Sequence, residues 1–215
     1  MKKLFKLFIV FGLLAGASAH AKISSKELSL IKASETGDQA KVTALLKDKK
    51  INLNAQDEVG MTALMSAALG GHVDILKQLV SKKVSLETKN QSGDTALAVA
   101  VTNDQFAAAK ALIKAGANVD VTVAGEEGDT LFMRSLGDIE TAKLILQKNK
   151  ALINKTNKLG ETALIQSIRF GNIEAVKLLI SQGADSKIKT KDGQTALDIA
   201  KSLNNKEAVR LLSSK

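Results

Sequence analysis

The fold is decided by one short stretch, Gly-Met-Thr-Ala-Leu-Met-Ser-Ala from Gly60 to Ala67, because it recurs along the chain. It returns as GDTALAVA from Gly93, GDTLFMRS from Gly128, GETALIQS from Gly160 and GQTALDIA from Gly193. The starting glycines are 33, 35, 32 and 33 residues apart. A period near 33 residues indicates stacked supersecondary units, each of which buries its apolar face against the next unit. The sequence therefore predicts a repeat array.

Each copy of the motif predicts a tight turn followed by two short helices. The glycine can adopt a positive φ, and the threonine two residues later can cap a helix by accepting from a first-turn amide. In the first copy, Leu64 and Ala67 are three residues apart and so share a helix face. The apolar run from Ile75 to Val80 predicts the second helix of the same unit. The predicted fold class is all-α, with helix-turn-helix repeats joined by short hairpin loops.

These segments resemble the ankyrin repeat family. GGHVDILKQLV from Gly70, FGNIEAVKLLISQGAD from Phe170 and KDGQTALDIA from Lys191 are similar to its consensus. The family's proline after the threonine is missing at every copy, since the chain contains no proline. The resemblance implies a solenoid of about six repeats, divided into an N-terminal capping repeat (22–57), central repeats (58–190) and a C-terminal capping repeat (191–215). It also implies that the concave face of the array binds another protein.

The fourth repeat departs from the pattern in the segment VTVAGEEGD, residues 121–129. Two residues are added before Gly128, and Gly137 arrives early in the helix that follows. A lengthened turn beside a shortened helix predicts a protruding acidic finger made by Glu126, Glu127 and Asp129. The alternative is an insertion without function, because loops accept such changes readily.

The first 21 residues have the three zones of a secretory signal peptide: a lysine-rich start, the apolar run from Leu7 to Ala17, and small residues around Ala19 and Ala21. A membrane anchor is the alternative, but the run is shorter than the roughly 20 residues that span a bilayer. We expect cleavage near Ala19 or Ala21 and a periplasmic or secreted product without a membrane span.

The composition argues against catalysis. The chain has no Cys, Trp or Tyr and only two His, so most side chains used in nucleophilic, metal and redox chemistry are missing. His72 follows two glycines where a helix is predicted to begin, which favours a structural role. We therefore predict a protein that is not an enzyme, with no catalytic residue, cofactor or metal ligand.

The predicted partner-binding residues flank the hairpin glycines or lie late in the first helices, which are the contact positions that the resemblance implies. They are Glu58, Val59, Met61, Leu69, Gln91, Ser92, Asp94, Thr102, Glu126, Glu127, Asp129, Lys158, Leu159, Glu161, Arg169 and Phe170. Two groups among them are predicted anchors, because interface energy concentrates in a few large side chains: Val59 with Met61 and Leu69, and Leu159 with Arg169 and Phe170. Packing of these side chains into the next repeat is the alternative.

The leading functional hypothesis is an exported protein, monomeric when free, that binds an envelope protein. Its resemblance to exported bacterial ankyrin proteins implies an inhibitor or immunity partner that protects the cell from an envelope enzyme such as a peptidoglycan hydrolase, or an accessory protein of an oxidative-stress enzyme. A separate hypothesis is a polyanion binder of lipopolysaccharide or wall polymers, because residues 141–215 carry 14 basic and 6 acidic side chains. Nucleic acid is not expected, since the lysines lack accompanying aromatic side chains.

Overall fold

The computed structural model describes residues 23–125 and 127–213; the predicted signal peptide, Glu126 and the last two residues lie outside these ranges. Within them the helices form consecutive pairs. The pairs are α1 (Ser25–Thr36) and α2 (Gln39–Leu45), α3 (Ala63–Leu69) and α4 (Val73–Ser81), α5 (Ala96–Thr102) and α6 (Phe106–Lys114), α7 (Leu131–Arg134) and α8 (Ile139–Lys148), α9 (Ala163–Arg169) and α10 (Ile173–Ser181), and α11 (Ala196–Ser202) and α12 (Lys206–Ser213). Short 3₁₀ helices, Ser135–Gly137 and Lys150–Asn154, follow α7 and α8.

The pairs stack in two layers. The first helices of successive pairs pack on one another, from α1 through α3, α5, α7 and α9 to α11, and the second helices do the same from α2 to α12. Each pair thus meets its neighbours along the chain, which is the contact pattern of a solenoid. The prediction of an all-α array of about six helix-turn-helix repeats is confirmed.

Side-chain caps fix where the first helices begin. The Oγ1 atom of Thr62 accepts from the N–H of Met65 at 3.2 Å, and Thr95, Thr130, Thr162 and Thr195 cap their helices in the same way. The first pair lacks this threonine, and Ser24 and Glu27 form a capping box instead. Hydrogen bonds from the Ser24 N–H and hydroxyl lower the pKa of the Glu27 carboxyl. The predicted capping role of the threonines is confirmed.

The core lies between the two helix layers and between successive pairs. Leu64, Leu97, Phe132 and Leu164, which occupy equivalent positions, are fully buried. The small residues three positions later are buried as well, which lets neighbouring first helices approach closely. Leu197, the equivalent residue of the last pair, is half-buried, because no further pair covers it among the described residues.

His72 has the structural role that the sequence predicts. It is the N-cap residue of α4, and its Nε2 atom lies 2.9 Å from the carbonyl oxygen of Glu35 in the preceding repeat. A Cβ on Gly37 or Gly70 would lie 2.6 or 2.4 Å from atoms of the His72 ring, so a larger residue at either position would displace the ring. The histidine thus ties the first two repeats together.

No helix in residues 23–125 and 127–213 combines the length and the apolar character that crossing a bilayer requires.

Candidate partner-binding face

The hairpins that connect the repeats form a continuous ridge. Backbone bonds join neighbouring tips: Gln91 N–H to Val59 O at 3.2 Å, Lys158 N–H to Glu127 O at 2.9 Å, and Lys191 N–H to Leu159 O at 2.9 Å. The tips approach so closely that a Cβ on Gly60, at φ 81°, would lie 2.8 Å from the Gln91 nitrogen. These bonds join the first tip to the second, the third to the fourth and the fourth to the fifth, so they hold the backbone of neighbouring tips together. We use the term concave face for this ridge together with the solvent side of the first helices.

The hairpin of the fourth repeat is longer than the others, as the sequence predicts. It closes with a bond from Val123 N–H to Asp129 O at 2.9 Å, whereas the first hairpin closes from Asp57 N–H to Met61 O at 3.0 Å and spans two residues fewer. The Ala124 N–H donates to Asp94 Oδ1 at 2.9 Å, so a side chain of the preceding repeat supports the longer loop.

Asp129 is not part of an exposed acidic finger, and this part of the prediction is wrong. Only 8% of the Asp129 surface is exposed to solvent. Oδ1 accepts from Asn157 Nδ2 at 2.9 Å and from Gln166 Nε2 at 2.7 Å, while Oδ2 lies 3.8 Å from the Arg134 guanidinium. A carboxylate with three such partners is stable when buried. Asp129 therefore joins the fourth repeat to the fifth. Glu127 is exposed, and Glu126 lies outside the described residues.

Glu161 is buried too, which contradicts its predicted place on the accessible surface. Its Oε1 atom lies 2.6 Å from Arg169 Nε, and Arg169 remains partly exposed at the end of α9. The buried carboxylate thus holds Arg169 in one orientation on the concave face.

The remaining predicted residues differ in accessibility. Phe170 is 79% exposed, Val59 58% and Leu159 44%, so these three are accessible apolar side chains. Met61 and Leu69 are half-buried, which leaves Val59 as the exposed member of the first predicted anchor group. Asp94 and Thr102 are half-buried, and the exposed polar members of the set are Glu58, Gln91, Ser92, Glu127, Lys158 and Arg169.

One exposed apolar residue on this face was missed in the sequence. Leu203 follows Phe170 by 33 residues and, like it, is the C-cap of a first helix. Both side chains are exposed, on helices α9 and α11 that pack together. The repeat period alone could have found it, since the residue one period after a candidate anchor occupies the same place in the next unit.

The shortened fourth helix leaves a notch in the first-helix layer. The N-cap residue of the second helix comes eight residues after the threonine in the fourth repeat (Asp138 after Thr130), but ten residues after it in the fifth. The resulting space is about 280 Å³ and lies among residues of α5, α7 and α9. Met133 and Leu136 are buried at this notch, and the exposed residues Asp104 and Phe170 line it from the flanking repeats.

Asp138 stabilises the shortened connection beside the notch. Burial by itself raises the pKa of its carboxyl, but hydrogen bonds from Thr141 and the nearby Lys110 ammonium outweigh burial, so the pKa is lower than usual. The Thr141 N–H donates to Oδ1 at 2.7 Å, and Lys110 Nζ lies 3.4 Å from the same oxygen. The carboxylate therefore caps α8 and bonds α6 to α8.

The described part of the chain holds no group of three or more His, Asp or Glu side chains placed to bind a metal ion. Its polar clusters are hydrogen-bonded pairs and caps, which position surface residues.

Stacked helix pairs with a hairpin ridge define a repeat protein that offers one extended face to a partner. A family model for ankyrin repeats (three copies) matches residues 30–123 and 131–215. The chain belongs to the ankyrin repeat family, which confirms the resemblance seen in the sequence.

Solved structures share the whole array. One solved structure is a complex of the predatory endopeptidase Bd0816 from Bdellovibrio bacteriovorus with the immunity protein Bd3460. A chain of this complex is 57% identical to the protein, with a TM-score of 0.83. The match covers 90% of this chain and 100% of that one. An ankyrin repeat domain from Acinetobacter baumannii is 26% identical, with a TM-score of 0.78, over 86% of this chain and 96% of its own.

Curated relatives match over shorter segments. Ankyrin repeat and SAM domain-containing protein 6 of Rattus norvegicus is 39% identical over 80 residues, which are 36% of this chain and 9% of that protein. The NAD-capped RNA hydrolase NUDT12 of Homo sapiens is 40% identical over 78 residues, 36% of this chain and 17% of the hydrolase. The chain spans less than a fifth of these relatives, and the similarity extends to a segment of repeats.

Proposed function

We propose that the protein is an exported immunity protein that binds an envelope endopeptidase through its concave face and blocks its activity. The observation that carries the proposal is the 57% identity, over 90% of this chain, to a chain of the endopeptidase–immunity protein complex. An ankyrin array is suited to this task, because it offers a long rigid surface and lacks the deep pocket that catalysis usually needs. The partner expected from the sequence, a peptidoglycan hydrolase, is an envelope enzyme of the same kind as this endopeptidase.

The concave face provides the physical means of binding. Leu159 and Val59 are exposed apolar side chains on the hairpin ridge, and Phe170 is exposed at the end of α9. Arg169 is held in place by the buried Glu161. Large aromatic side chains and oriented arginines dominate the energy of protein interfaces, and fixing them beforehand lowers the entropy lost on binding. These residues are therefore the anchors of the proposed interface.

The proposal is tested by titrating the protein into the Bdellovibrio endopeptidase Bd0816 while measuring affinity by calorimetry and endopeptidase turnover. We expect a stable complex with inhibited turnover, and at least about tenfold weaker binding for Phe170→Asp, since an aromatic anchor is commonly worth 2 kcal/mol or more. Ala107→Asp is the matched control, because it places the same carboxylate at an exposed site on α6, in the other layer. A wild-type protein that neither binds nor inhibits the endopeptidase would refute the function, and equal affinities of the two variants would refute the assigned face.

The proposal includes export to the periplasm, where such an enzyme would act. The support is the three-zone leader in residues 1–21. N-terminal sequencing of the protein from a periplasmic fraction should give a chain beginning at residue 20 or 22; an intact leader on a cytoplasmic protein would contradict it.

Polyanion binding is a second candidate, favoured by one feature of the last hairpin. Lys187, Lys189 and Lys191 alternate along the segment that enters it, and all three are exposed. The three charges lie within five residues of the chain and face solvent. Binding to lipopolysaccharide should then weaken steeply with added salt and be lost when all three become alanine, whereas endopeptidase binding should change little.

A further inference from the structure

The notch beside α7 is a small, partly enclosed cavity, about large enough for one amino-acid side chain. Its volume is about 280 Å³, and Val101, Met133 and Leu136 contribute buried apolar surface to its lining. It exists because the fourth repeat is shorter here than the repeats on both sides. An intruding side chain would therefore contact three successive repeats.

Apart from the Arg134 guanidinium, the free hydrogen-bonding groups of the notch are mostly acceptors. Its uncharged side-chain donors are already bonded within the protein: Thr102 to Ala98 O, Gln166 to Asp129 Oδ1, Ser167 to Ala163 O and Asn172 to Leu136 O. In contrast, neither the Asp104 carboxylate nor Gln166 Oε1 accepts a hydrogen bond or forms an ion pair within the described ranges. Among the lining side chains other than Arg134, the unused binding capacity thus lies in the oxygen lone pairs of Asp104 and Gln166 and in the exposed Phe170 ring.

The charges of the residues that line the notch also favour a cationic ligand. Arg134 also lines the notch, but its guanidinium lies 3.8 Å from Asp129 Oδ2, so this pair carries no net charge. Asp104 leaves one unpaired negative charge on a site with an aromatic side chain at its edge. Carboxylate, amide oxygen and aromatic ring together suit a cation with several N–H donors and an aliphatic stem.

We propose that the notch binds one lysine or arginine side chain of the partner protein. The stem packs against Met133 and Leu136, and the cationic head bonds to Asp104 and Gln166 beside the Phe170 ring. The inference rests on the proposed function, since it makes a basic residue of the endopeptidase the recognised group. It adds a specificity determinant, because the notch lies where the fourth repeat is two residues shorter than the fifth.

The first test needs no partner protein. N-acetyl-arginine amide, N-acetyl-norleucine amide and N-acetyl-glutamate amide are titrated separately into the protein while NMR signals of Asp104, Gln166 and Phe170 are followed. We expect the arginine probe to shift these signals and to bind about threefold more weakly to Asp104→Asn, as for an exposed ion pair. Asn is a suitable replacement because it tolerates the positive φ of 57° at this position. Equal or stronger binding of the norleucine or glutamate probe would overturn the proposal.

The second test uses the complex. Asp104→Asn should weaken binding to Bd0816 at least about tenfold, because a charge buried in the interface loses its partner. Glu174→Gln, which removes one exposed acid from α10 in the other layer, should leave the affinity unchanged. If the wild-type protein binds and Asp104→Asn binds equally well, the notch assignment falls while the proposed function stands. If the wild-type protein does not bind Bd0816, the proposed function is refuted. The titrations with the amino-acid probes then show whether the notch binds a basic side chain.

Discussion

Replacing Asp129 by alanine should destabilise the protein far more than its position in a surface hairpin suggests. The side chain accepts two hydrogen bonds on one carboxylate oxygen, from Asn157 and Gln166, and both donors are buried. A hydrogen bond to a charged group contributes about 1.5 to 3 kcal/mol, so the loss of two predicts a decrease of about 3 kcal/mol in the free energy of unfolding. The distant contact with Arg134, which is half exposed, adds little.

Thermal and urea unfolding of the variant measure this cost. For a chain of this size, about 3 kcal/mol corresponds to a melting temperature lower by roughly 6 to 12 °C. Glu127→Ala, two residues away and exposed, is the matched control and should change stability by no more than about 0.5 kcal/mol.

Asp129→Asn separates the hydrogen bonds from the charge. Both donors bond to Oδ1, so an asparagine keeps its carbonyl oxygen in that place and changes only the atom that faces Arg134. It should therefore retain most of the stability that alanine loses. If Asp129→Ala unfolds like Glu127→Ala, the buried network does not hold the two repeats together and the reasoning fails.

Two further predictions concern the helix caps. Thr162→Ala should lower the free energy of unfolding by about 1 kcal/mol through loss of the bond to the Ile165 N–H, and Thr162→Ser should restore most of it; no difference in urea midpoint between the two would contradict this. Because the folded pKa of Asp138 is lowered, its carboxylate stabilises the fold above about pH 4, and this stabilisation is lost as the pH falls through the depressed folded value. Asp138→Asn, which can still cap α8, should therefore lose less melting temperature than the wild type on acidification, and an unchanged pH profile would count against the assignment.

The repeated parts of the molecule were predictable because the sequence states them several times. The five threonine caps and the large and small residues of the core recur at a fixed period, so each copy supports the others. The longer hairpin of the fourth repeat and the shorter α7 could also be predicted from the sequence, since an insertion and a deletion interrupt that period. Such features depend on residues close in sequence.

Whether a particular polar side chain is buried or exposed was not predictable in the same way. Asp129 and Glu161 flank hairpin glycines, as exposed contact residues do, but each is buried with a partner that the local pattern does not show. Gln166 is 37 residues from Asp129, in the next repeat, and Arg169 pairs with Glu161 from the other end of α9. The notch also escaped sequence analysis, because a missing turn becomes a cavity only when both neighbouring repeats keep theirs. Burial and contact across repeats decide these cases, and local pattern carries no information about them.

The irregular fourth repeat redistributes the chain without disturbing the stack. The glycine spacing is 35 residues before its helices and 32 after them, so the insertion and the deletion nearly cancel, and α7 still packs on α5 and α9. The extra residues lie in the hairpin loop, and the missing ones are taken from the turn that ends the first-helix layer. An array of identical repeats offers similar surfaces at each step and so distinguishes partners poorly. By moving residues from the layer to the ridge, this repeat gives the concave face a longer hairpin and a notch, and an irregular shape can distinguish one partner from another.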